Sequence, residues 1–194
     1  MSKEVYYFLA CGTLNTCCDW VMYFIIYNFI IQKRFIDLGW VVISPHISSL
    51  IIVTPITEEI LKAIPILVFA TALSAKKEAL FTASMAVGIG FAVLENAYYL
   101  LNDSSFYMID AITRAFGTGL MHGMCTLLVG VGISFAKKRS KIFIVGTFAL
   151  LATAINYHGI YNMLAQSQYE IIGVLLPILT YTPFLIWRIA IKNK

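Results

Sequence analysis

The sequence predicts an all-α fold: one polytopic transmembrane helical bundle of about seven spans that uses residues 1–194 as a single domain. Three observations lead there. Of the 194 residues 60% are hydrophobic and 12% charged, with a mean hydropathy of +0.82. A soluble domain is about 45–50% apolar and about 25% charged. The apolar residues fall into runs close to, or longer than, the ~20 residues that cross a hydrocarbon core as a helix. No stretch is both polar and long enough to form a soluble domain. The net charge of +4 sits in short basic loops without interleaved aromatics, so no nucleic-acid partner is expected and the lipid bilayer is the expected surrounding.

Taken in order, the first span covers residues 5–31 and ends at Gln32-Lys33-Arg34. Lys3 is offset by Glu4, and Asp19 interrupts the run, so this segment reads as a retained span and not a signal peptide. The apolar stretch 38–73 is too long for one crossing. Pro55 divides it into a second span at 38–54 and a third at 57–75. The fourth runs over 79–101, the fifth over 108–136, the sixth over 142–165 and the seventh over 171–191. With this division Lys33/Arg34, Lys76/Lys77, the basic cluster at 137–141 and Lys192/Lys194 all fall on one side. Cytoplasmic loops carry the excess of Lys and Arg. The N-terminus is therefore expected outside and the C-terminus in the cytoplasm. Cys11, Cys17, Cys18 and Cys125 lie in apolar runs without zinc-ribbon spacing and read as small packing residues.

The polar residues inside these runs are the informative ones, because an ionisable group in lipid costs a few kcal/mol. Glu58, Glu59 and Lys62 stand at the outer start of the third span. Glu95-Asn96 lie in the fourth, roughly 9 Å below its outer end at about 1.5 Å per residue. His122 in the fifth and His158 in the sixth come out at about 12 Å and about 10 Å by the same count. Four spans thus bring acids and imidazoles into the outer half, with the two adjacent glutamates the shallowest. Lys62 lies i+3 and i+4 from Glu59 and Glu58, so it can neutralise one carboxylate and leave the other to act on water. Arg114, Thr118 and His122 share a helix face, as do Phe91 with Glu95 and His158 with Asn162. Gly119-x-x-x-Gly123 and Ser84-x-x-x-Gly88 supply the small residues that let helices approach. Gly88-Ile89-Gly90 lacks a third glycine and a preceding strand, so no nucleotide is expected.

Carboxylates beside two histidines can activate water, one group taking the proton and another stabilising the oxyanion. The same set could hold a zinc ion with an open position, Glu95, His122 and His158 being the ligand candidates. No His-Glu-x-x-His spacing separates the two routes. Asp19 and His46 have no motif around them and are read as structural or unassigned.

Four motifs in order carry a resemblance: Glu58-Glu59-x-x-Lys62, Gly88-x-Gly90-Phe91-x-x-x-Glu95-Asn96-x-Tyr98, Arg114 with Met121-His122-Gly123, and His158-Gly159-x-x-Asn162. Together they resemble the PrsW family of intramembrane proteases, a relative of the type II CAAX prenyl proteases and bacteriocin-processing or self-immunity proteins. The resemblance spans residues 55–162, and the motif-bearing core is taken as 55–165. It implies a multi-pass protein of the bacterial cytoplasmic membrane that cleaves a peptide bond of a single-pass, anti-sigma-factor-like substrate near the outer face. It implies catalytic roles for Glu58, Glu59, Glu95, His122 and His158, with Lys62, Asn96, Arg114 and Asn162 supporting them. Members have been classed as metalloproteases, whereas the related prenyl proteases work through glutamate and histidine, so zinc stays open on this ground. Two other readings compete. Buried acids and histidines also suit a proton- or ion-coupled transporter, but no internal repeat is visible. A catalytically idle immunity or binding member would lack one of the Glu or His positions, and all are filled here.

Overall fold

The computed structural model describes residues 49–72, 76–102, 108–135 and 140–192. The expectations for the first span, for Asp19, His46, Cys11, Cys17 and Cys18, and for most of the second span lie outside the described residues. A π-helical stretch, Ser49–Val53, leads into α1 (Thr54–Ala72), followed by α2 (Lys77–Asn102), α3 (Met108–Phe135), α4 (Ser140–Ala165) and α5 (Glu170–Lys192). No strand occurs among the described residues. The helices from α2 onward start and stop close to the expected fourth to seventh spans. Two of them are long and apolar enough to cross a membrane, α2 over its whole length and α3 over Ile112–Phe135.

One boundary differs from the sequence expectation. The helix of the third span does not begin after Pro55: helix runs on from Ser49 through Ala72 without a break. Proline lacks an N–H and so cannot bond the carbonyl four residues back, here that of Ile51. The turn widens into a π-helix instead, a common local answer to a lost ladder bond. The Ile51 carbonyl lies directly against Gly159 of α4, where an added Cβ would meet it at 2.5 Å. Nine helical residues therefore precede Glu58, so the two glutamates lie further along their helix than a start at Thr57 implies.

α3 is the hub. It packs against α1, α2, α4 and α5, and both its apolar and its polar side chains are buried, among them Met121, His122, Cys125, Thr126 and Val129. Its closest neighbour is α2, which crosses at Gly88: a Cβ there would collide with the His122 carbonyl and the Gly123 Cα. This is the small-residue approach expected of Ser84-x-x-x-Gly88, and only hydrogen at that position lets α2 come so near. Gly119 has no neighbour within 4 Å of where a Cβ would stand among the described residues. On α1 the buried stripe is Glu58, Glu59, Lys62, Ile66 and Ala70, while Ile56, Ile60, Ile64 and Val68 point outward. An outward apolar face and an inward polar stripe are the reverse of a soluble helix, and suit a helix bathed in lipid.

Candidate active site

Four helices converge on one buried cluster. α1 contributes Glu58, Glu59 and Lys62, α2 Phe91 and Glu95, α3 His122, and α4 His158. Glu59, Lys62 and His122 are fully buried, His158 nearly so, and Glu58 is 4% exposed. The expectation that these residues meet is thus reproduced for all five acids and imidazoles.

The partners of each histidine are specific. Lys62 Nζ lies 2.7 Å from His122 Nδ1 and 2.6 Å from Glu59 Oε1. An ammonium can only donate, so His122 Nδ1 is the acceptor and the ring proton sits on Nε2. That Nε2–H donates to Glu95 Oε2 at 2.8 Å. On α4, His158 Nδ1 donates to Glu59 Oε1 at 2.9 Å, since an ionised carboxylate can only accept. Each imidazole is therefore held at one nitrogen by a carboxylate from a different helix. The other nitrogens, His122 Nδ1 and His158 Nε2, face Glu58. Glu58 Oε2 stands 3.8 Å from both, and 3.8 Å from Lys62 Nζ.

A metal ion can be tested against this donor set. Glu58, His122 and His158 each offer one ligand atom, all within 4.8 Å of one another and all buried. Tetrahedral zinc with nitrogen and oxygen ligands at about 2.0–2.2 Å keeps its donors about 3.4 Å apart, close to the 3.8 Å separations found. Histidines that bind metal usually give their second nitrogen to a carboxylate, as both do here. The residues fit. The group differs from the one the sequence suggested. Glu95 lies on the Nε2 side of the His122 ring and holds it, whereas Glu58 takes the position expected of Glu95. The sequence could not distinguish the two because helix rotation decides which carboxylate meets which ring edge.

The supporting residues divide. Arg114 Nη2 is 3.6 Å from Glu95 Oε1, and Asn96 Nδ2 donates to the Arg114 carbonyl at 3.5 Å. Both belong to the Glu95 side of the site. Lys62 lies at its centre and not at its margin. Asn162 is half-buried one turn beyond His158. Asn156 bonds its own helix, to Ala152. Two residues escaped the sequence reading. Tyr99, and not the motif residue Tyr98, stacks under the Arg114 guanidinium at 4.0 Å. Tyr161 bonds Thr118 across α3 and α4 at 2.9 Å. A signal existed for each: Tyr99 follows Glu95 by one helical turn, and Tyr161 follows His158 by three residues. Phe91 closes the apolar side, its ring 4.9 Å from that of His122 and 4.5 Å from Lys62 Nζ.

Comparison with known proteins extends what the motifs indicated. No curated protein sequence and no solved structure gives a significant match. The sequence profile described as PrsW family intramembrane metalloprotease matches residues 5–188, which takes in the flanking segments as well as the motif-bearing core. With nearly the whole length covered, the chain belongs to the PrsW family of intramembrane metalloproteases.

Proposed function

We propose that this protein hydrolyses a peptide bond of a single-pass membrane protein, using one zinc ion held by Glu58, His122 and His158. The observation that carries the reading is the pair of carboxylate-anchored imidazoles, whose remaining nitrogens converge on Glu58 Oε2 at 3.8 Å. When bound, zinc acts as a Lewis acid that polarises the scissile carbonyl and makes water nucleophilic near neutral pH. The chain's own residues do the rest. Glu95 and Glu59 fix the ring orientations of His122 and His158. Glu59 Oε1 is taken by Lys62 and His158, but Oε2 is buried without a hydrogen-bond partner among the described residues. Glu59 Oε2 receives the proton of the attacking water as the oxygen bonds the carbonyl carbon. It returns that proton to the nitrogen as the C–N bond breaks. Arg114, stacked on Tyr99, pairs with Glu95 and holds it in place.

The surrounding frame is about seven spans in a bacterial cytoplasmic membrane, N-terminus outside, with the site in the outer half. A substrate whose external part enters from that side, such as an anti-sigma-factor-like protein, suits it. The test is cleavage of a single-pass reporter by purified protein in liposomes. His158→Ala and Glu58→Ala should abolish cleavage while leaving the helical circular dichroism spectrum intact. Full cleavage by both variants rejects the reading.

A further inference from the structure

Lys62 is the buried group that a zinc-dependent account does not use for chemistry, and its position is unexpected. Its ammonium is fully buried, 2.7 Å from His122 Nδ1 and 3.8 Å from Glu58 Oε2. Both are ligand atoms of the proposed zinc site. The Nδ1 lone pair can serve a donated hydrogen or a metal, not both at once. We propose that Lys62 is a built-in competitor cation: its ammonium holds the His122 ligand atom in the metal-free protein, and zinc enters only by displacing it.

The surroundings give the displaced ammonium a place to stay. Glu59 Oε1 is its shorter partner, at 2.6 Å, and is not a ligand of the proposed ion. The Phe91 ring lies 4.5 Å away, beneath the ammonium, and cations over an aromatic face are stabilised when desolvated. Lys62 can therefore leave His122 while keeping Glu59. In the metal-free site the ammonium offsets one of the two carboxylate charges of Glu58 and Glu59. In the loaded site the ion takes over that role for Glu58. The ammonium thus keeps the empty centre folded, and it makes metal loading weaker than the ligand set alone would give.

This inference rests on the zinc-site reading, and the experiment separates the two. Zinc affinity is measured in detergent with a chromophoric competing chelator, on the wild type, Lys62→Met, Glu59→Gln, the charge-balanced Glu59→Gln/Lys62→Met, and His158→Ala. The amide introduced by Glu59→Gln still offers an oxygen to His158 Nδ1–H, and the double variant keeps the wild-type net charge should Lys62→Met alone fail to fold. Competition predicts zinc binding at least about tenfold tighter in Lys62→Met than in the wild type and in the double variant than in Glu59→Gln, with His158→Ala weakened. Equal or weaker binding by the double variant than by Glu59→Gln, in a protein whose wild type binds zinc through His158, overturns the competition and leaves the zinc site standing. A gain confined to Lys62→Met overturns it too, since freeing His122 should help with or without the Glu59 charge. Absence of His158-dependent binding in every variant overturns the zinc site and the competition together.

Discussion

At the scale of single residues, the proposed mechanism gives different work to Glu58, Glu59 and Glu95, where the sequence left open which of Glu58 and Glu59 acts on water. In the proposed reaction Glu59 takes the proton, so Glu59→Gln should lower the cleavage rate by about 10²–10⁴-fold, the usual yield of a general base. At saturating zinc the bound metal should remain near one per chain in that variant, measured by elemental analysis alongside the kinetics. In the same proposal Glu95 acts through His122 as a positioning residue. Glu95→Gln should weaken zinc by about 10–100-fold, the common cost of losing such a partner, and excess zinc should restore much of the activity. A rate loss at saturating zinc equal to that of Glu59→Gln would contradict the assignment. That these acids and imidazoles come together was legible from their cost, because ionisable groups in apolar runs need a purpose. Their pairing was not. Glu58 and Glu59 are about 100° apart on α1, and only packing against α3 and α4 shows that one faces both ring nitrogens while the other anchors His158.

At the scale of elements, two close approaches set the geometry of the centre. Gly88 brings α2 onto the backbone at His122, and Gly159 brings α4 onto the Ile51 carbonyl freed by Pro55. Each glycine neighbours a site residue in space or in sequence. Overpacking of this kind costs about 1–3 kcal/mol. Gly159→Ala should therefore lower the thermal midpoint in detergent and, by pushing α4 outward, weaken zinc binding through His158. Gly119→Ala, which meets open space among the described residues, should leave both unchanged and serves as the control. The helices themselves were legible, since length and hydropathy fix a span to within a turn. The continuation through Pro55 was not, because a proline that starts a new helix and one that widens a turn within a longer helix give the same local sequence.

At the scale of the whole molecule, the proposal requires the site to lie toward the outer face, with the Lys76-side loops in the cytoplasm. Single cysteines placed at Gln168 and Lys76, both exposed, in a background lacking the four native cysteines, test it. A membrane-impermeant maleimide applied to intact cells should label Gln168→Cys and spare Lys76→Cys; the opposite pattern would invert the orientation. The central claim is that Glu58, His122 and His158 hold a zinc ion on which peptide cleavage depends. Its most direct measurement is metal content and reporter cleavage on one purified sample, before chelation, after it, and after zinc is returned. About one zinc per chain is expected, with cleavage that disappears with the metal and comes back with it, and neither zinc nor cleavage in His158→Ala. Undiminished cleavage by metal-stripped protein would contradict it.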